Sequence, residues 1–136
     1  MTARKIDHLG IAVRDLAAAS RRFEQLLGAK AGGEEEVPSE HVKVKFFTVG
    51  ESRFELLEAT DPASAVAKFI EKRGEGIHHV CVGVADVAAE VARLRADGFE
   101  FVGEAPRRGA GGHKVAFVHP RSAGGILVEL SEAAPH

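Results

Sequence analysis

Four side chains able to ligate a metal recur at matched places along this 136-residue chain: His8 and His79, and Glu55 and Glu129. Two imidazoles and two carboxylates form an N/O donor set suited to a divalent transition ion that keeps positions open for a substrate. His79 has a neighbour, His78, and a β-strand sends adjacent side chains to opposite faces, so only one of the two can share a face with such a site.

A second copy of the stretch decides between them. Laid over "GIHHVCVGVADV" (76–87), "KIDHLGIAVRDL" (5–16) matches Ile6 to Ile77, His8 to His79, Val13 to Val84 and Asp15 to Asp86, and leaves His78 opposite Asp7. Leu9, Ile11 and Val13 in one copy, and Val80, Val82 and Val84 in the other, form a bulky face expected to lie under a helix. The opposite face carries His8, Gly10 and Ala12, or His79, Cys81 and Gly83, whose small residues leave room above the sheet. His78 is then structural or supports a ligand, and His41 and His113 fall in loops expected to face solvent. The last strand of each copy, "FELLEA" (54–59) and "VELSEA" (128–133), turns Phe54 and Leu56, or Val128 and Leu130, inward and puts Glu55 and Glu129 on the other face. An unpaired buried carboxylate costs several kcal/mol, so each glutamate needs a partner. Related by a pseudo-twofold, His8, Glu55, His79 and Glu129 are expected to converge on one metal.

The elements that must hold these residues repeat as well. Asp15 and Asp86 stand at helix N-cap positions, the helical periods Leu16, Phe23, Leu27 and Val87, Val91, Leu94 follow, and Gly28 and Gly98 end them. "KVKFFTVG" (43–50) resembles "KVAFVHPR" (114–121), which makes the order β-α-β-β-β twice over. In "DPASAVAKFIEKRG", Asp61 can cap, Pro62 suits a first turn and Gly74 ends a linker helix over about 62–73. The expected fold class is α+β: two pseudo-symmetric βαβββ modules, about 5–60 and 76–133, forming a curved mixed sheet around a metal-containing cavity within a single domain, 1–136.

Composition narrows the function. With 18 Lys+Arg against 20 Asp+Glu and no basic stripe interleaved with aromatics, nucleic acid is not the expected partner. No stretch approaches the ~20 apolar residues of a membrane span and no secretory leader is legible, so the expected location is the cytoplasm. The single cysteine, Cys81, excludes an intramolecular disulfide and a CxxC metal site. "PRRGAGGHK" (106–114) offers backbone amides with Arg107, Arg108 and Lys114 to a phosphate, or is an ordinary loop, and "GEEEVP" is a solvated charge run.

With this pattern in place, "KIDHLGIAV", "FELLEATDPASAVAKFIEKRGEGIHHV" and "KVAFVHPRSAGGILVEL" closely resemble stretches of the methylmalonyl-CoA epimerases. These belong to the vicinal oxygen chelate superfamily, with glyoxalase I and the extradiol dioxygenases. The resemblance runs nearly end to end. It implies an isomerase of propionate metabolism that interconverts (R)- and (S)-methylmalonyl-CoA through a metal-stabilised enolate, usually as a homodimer. It also implies a divalent ion, cobalt first and manganese, nickel or zinc as alternatives, at His8, His79 and Glu129, with Glu55, a Gln in some members, as fourth ligand. Glu129 is the first choice of base and Glu55, offered by the pseudo-twofold, the second, with a metal-bound water as the fallback. One departure matters: Val44 stands where some epimerases carry a glutamate proposed as a base, and "SEHVKV" departs from the usual "EQGVKV". Two other readings share the fold, a glyoxalase I-like lyase and a non-catalytic ligand binder of the bleomycin-resistance type. The epimerase-like stretches argue against the first and the filled ligand positions against the second.

Overall fold

The computed structural model describes residues 2–109 and 112–132. Ala110 and Gly111 of the basic glycine-rich segment, and Ala133 at the end of the second repeat, lie outside the described residues. The elements follow in the order β1 (Ala3–Ala12), α1 (Leu16–Leu27), β2 (Glu34–Val37), β3 (Val42–Val49), β4 (Ser52–Ala59), α2 (Ala65–Arg73), β5 (Gly76–Val84), α3 (Val87–Ala96), β6 (Arg107–Arg108), β7 (Lys114–Val118) and β8 (Val128–Glu132). The βαβββ order thus occurs twice with α2 between, and the fold is α+β. Chain contacts divide it into two compact units, 8–78 and 1–7 with 79–136, so that β1 and β5 each contribute residues to both.

In the unit 8–78, β1 runs parallel to β4, β3 is antiparallel between β4 and the edge strand β2, and Gly10 lies opposite Glu55 in the β1–β4 ladder. One face packs under α1, where Leu16, Ala19 and Phe23 meet Ile11, Val13, Phe47, Phe54 and Leu56. Asp15 caps α1 by accepting from Ala18 N, and Gly28, at φ 65°, supplies the left-handed residue that ends it. The bulky face is therefore the helix face, as the alternation requires. On the other face α2 lays Val66, Phe69 and Ile70 over Ala12, Val42, Val44 and Leu57, so the linker helix also forms part of a core. It starts later than expected: Asp61 accepts from Ala63 N in a preceding turn, while Ser64 accepts from Val66 N and is the actual cap.

The other unit repeats the scheme. β5 is parallel to β8, β7 pairs antiparallel between β8 and the two-residue edge strand β6, and Cys81 stands opposite Glu129 where Gly10 stands opposite Glu55. Val87, Val91 and Leu94 of α3 pack on Val82, Val84, Ala116, Val118, Val128 and Leu130. Glu90 is the buried charge of α3, and its Oε2 accepts from Arg93 at 2.7 and 3.1 Å and from Thr2 at 3.1 Å. α3 closes at Asp97, one residue before the expected Gly98. Glu34–Glu36, expected as a solvated charge run, are exposed and pair with β3 as an edge strand, and Arg107 and Arg108, from the segment expected to meet a phosphate or form an ordinary loop, pair with Val115 and Lys114.

Leu56 is 0% exposed and Leu26 of α1 is 72% exposed. Leu56→Ala is expected to cost about 2–5 kcal/mol and Leu26→Ala less than about 0.5 kcal/mol, read as shifts of the urea midpoint at unchanged m.

Candidate active site

On the face of the first module opposite α1, β1 presents His8 and β4 presents Glu55. Their register places Gly10, not His8, directly across from Glu55. Since Gly10 has no side chain, the imidazole two residues earlier on the same face can lean across, and Nδ1 of His8 comes within 3.3 Å of Oε2 of Glu55. In the second module the small residue opposite the carboxylate is Cys81, and Nε2 of His79 lies 3.3 Å from Oε1 of Glu129. Both histidines are buried, and both glutamate side chains are 12% exposed. Each sequence-predicted histidine thus meets the glutamate predicted for its own module. Imidazole nitrogen and carboxylate oxygen at this burial are fit donors for a divalent ion, and two carboxylates match its charge. Each pair, His8 with Glu55 and His79 with Glu129, offers such donors.

The aromatic neighbours repeat too. Phe46 stands across from Glu55 and Phe117 across from Glu129, in antiparallel ladders of matching register. The Phe117 ring meets that of His79 edge-on, with centroids 6.2 Å apart, and the Arg107 guanidinium lies 4.9 Å over the Phe117 centroid. A cation over an aromatic face is held by the ring quadrupole, which fixes Arg107 on the His79 side of its sheet.

The symmetry breaks at Arg53. It sits opposite His8 in the β1–β4 ladder, and its Nη2 and Nε donate to Oε2 of Glu55 at 2.7 and 3.1 Å, with Nη2 also 3.4 Å from Nδ1 of His8. Sequence reasoning missed Arg53, Phe46 and Phe117, and took Arg107 for a phosphate-facing or ordinary loop residue. Parity along β4 held the signal for the first, because a residue two before Glu55 must share its face.

The remaining predicted positions divide. His78 turns away from His79 and meets Phe69 of α2 edge-on, with centroids 5.1 Å apart. His41 is exposed at a left-handed φ of 54°. His113, expected at the surface, is partly buried and its Nδ1 lies 3.0 Å from the carbonyl oxygen of Glu132. Val44 is 5% exposed within the core that α2 covers.

Residues 7–117 match the family model described as the Glyoxalase/Bleomycin resistance protein/Dioxygenase superfamily. The chain is thus a member of that superfamily. Among curated proteins the chain is 38% identical to the ethylmalonyl-CoA/methylmalonyl-CoA epimerase of Cereibacter sphaeroides, over 94% of this chain and 97% of that one. It is 35% identical to the human mitochondrial methylmalonyl-CoA epimerase, over 95% of this chain and 74% of that one. The crystal structure of methylmalonyl-CoA epimerase from Mycobacterium tuberculosis superposes with a TM-score of 0.91 at 36% identity, covering 98% of this chain and 91% of that one. The chain belongs to the methylmalonyl-CoA epimerase family within the superfamily.

His79→Ala is expected to abolish Co2+ binding, while His78→Ala keeps it within about tenfold, the lower end of the usual cost of losing a supporting group. Titration of metal-stripped protein by calorimetry checks this, and Co2+ binding that survives in His79→Ala would place the ligand on the wrong strand face.

Proposed function

We propose that this chain interconverts (R)- and (S)-methylmalonyl-CoA by removing and returning the C2 proton, and that the pairs His8–Glu55 and His79–Glu129 together hold one divalent ion, cobalt first among the candidates. The observation that carries the proposal is the repetition of one pairing, imidazole to carboxylate at 3.3 Å, at equivalent registers of both modules in a chain that spans its epimerase relatives. A structure in the family, 36% identical with a TM-score of 0.90, contains methylmalonyl-CoA. Composition and the resemblance add the expectation of one domain acting as a cytoplasmic homodimer; among the described residues no helix is long and apolar enough to cross a membrane.

The C2 proton of a malonyl thioester leaves only if the enolate is stabilised. When bound, the ion supplies that stabilisation electrostatically, in a site whose donors are already oriented. The chain supplies the proton carriers. Glu129 takes the proton from one face of C2 and Glu55 returns one to the other, each carboxylate steadied by the histidine of its own module. Val44 carries no base. Its side chain lies among Ala12, Val42, Leu57 and Val66, and the second proton transfer is assigned here to Glu55. The burial of both imidazoles and both carboxylates limits the water that could quench the enolate.

The test is deuterium exchange at C2 of methylmalonyl-CoA, before and after chelator treatment. Exchange with inversion that chelator abolishes and Co2+ restores supports the proposal; epimerisation that chelator leaves intact removes the ion from it.

Glu55→Gln is the informative substitution, because an amide oxygen still ligates and an amide cannot act as a base. The mutant is expected to keep its metal and lose epimerisation by about 10²-fold or more while retaining one-face exchange through Glu129. Near-normal turnover would reduce Glu55 to a ligand. Glu129→Gln is expected to be severely impaired in both exchange and epimerisation, and an active Glu129→Gln enzyme would sink the mechanism.

A further inference from the structure

The two modules agree at the histidine, the small residue, the glutamate and the phenylalanine, and disagree at the residue two before the glutamate. In β4 that residue is Arg53, across from His8. In the second module it is Leu127, whose carbonyl accepts from Val80 N, next to His79. The first module therefore carries a charge-paired carboxylate, with Nη2 and Nε of Arg53 on one oxygen of Glu55 at 2.7 and 3.1 Å. The second has an aliphatic side chain at the corresponding position. A donor set of two neutral imidazoles and two carboxylates already cancels a divalent cation. Any substrate that brings its own carboxylate makes such a site negative, and the charge that develops on deprotonation adds to this.

We propose that Arg53 is a specificity-determining residue that offsets the charge of Glu55 and thereby lets the site accept an acyl thioester bearing a free carboxylate. The proposal rests on the epimerase reading of the same site. The Arg53 side chain is 34% exposed, beside an imidazole and a carboxylate that are 8% and 12% exposed. A charge in that position is screened less than one on the open surface and acts on a ligand a few ångströms further out.

Charge balance makes a prediction that a purely structural role does not, since it moves the affinities of a cation and an anion in opposite directions. In Arg53→Met the site gains net negative charge. The affinity for methylmalonyl-CoA is expected to fall about tenfold, the scale of one partly screened charge, while that for propionyl-CoA, which has the same CoA and no carboxylate, changes less than about twofold. Co2+ affinity of the metal-stripped protein is expected to be equal or higher. Arg53→Lys keeps the charge and should stay close to wild type toward both thioesters. Adding Glu55→Gln to Arg53→Met removes the charge that was left unbalanced and is expected to recover most of the lost methylmalonyl-CoA affinity. All of these are read by calorimetric binding, with the thermal midpoint of each variant confirming that it is folded. Equal weakening toward both thioesters, a fall in Co2+ affinity, or no recovery in the double variant overturns the proposal. A wild-type protein that binds both thioesters with this discrimination but does not epimerise would instead overturn the proposed function and leave the role of Arg53 standing.

Discussion

A carboxylate set between apolar neighbours in a strand must have a partner, and this requirement organises both modules. Glu55 lies between Phe54 and Leu56, and Glu129 between Val128 and Leu130, with the apolar members of each run turned into the core under a helix. Strand alternation then leaves each glutamate only the opposite face on which to find its partner. In both ladders a parallel neighbour places a small residue, Gly10 or Cys81, directly across from the carboxylate, and a histidine two residues earlier on the same face reaches over it. The helix, the small residue and the histidine are consequences of one geometric condition. In each module the βαβββ order provides a covered helix face and a parallel strand beside the glutamate.

The same condition does not make the two halves alike. In the unit 8–78, α2 crosses the face that carries Glu55 and buries Val44, Leu57 and Ala12 beneath Val66, Phe69 and Ile70. A glutamate at position 44 would lie within this apolar cluster and meet the desolvation cost of any buried charge. Val44 is therefore part of the packing that seats α2. His78 belongs to the same arrangement, since its ring packs against Phe69.

Much of this was legible in the sequence because a strand has a period of two and the chain repeats its own pattern. The order of elements, the helix face, the N-caps at Asp15 and Asp86, and the face assignments of Glu55 and Glu129 all follow from those two regularities. What escaped lies where neither regularity reaches. Arg53 has no counterpart in the repeat, so a comparison of the two copies passes over it, and its value depends on a parallel register that sets it opposite His8. Arg107 read as a loop residue because glycines follow it, whereas pairing with Val115 puts it in an edge strand over Phe117. The start of α2 was misplaced because Asp61 and Ser64 are both able caps, and the choice between them depends on packing: Val66, the residue whose N–H Ser64 receives, is buried in the core.

The broken symmetry at Arg53 fits the demands of the proposed reaction. Epimerisation treats two mirror-related configurations at one carbon almost equally, so a duplicated module, which brings one carboxylate per copy, suits the movement of the proton. The rest of the substrate is not symmetric, because C2 carries a free carboxylate on one side and a thioester on the other. A site built of two identical halves would offer both groups the same charge environment. One arginine in one module, bound to one of the two glutamates at 2.7 Å, distinguishes the halves electrostatically without disturbing the imidazole–carboxylate pairing that both retain. On the proposed reading, duplication supplies one carboxylate per module for the proton, and the departure from duplication at Arg53 sets one module apart from the other in charge.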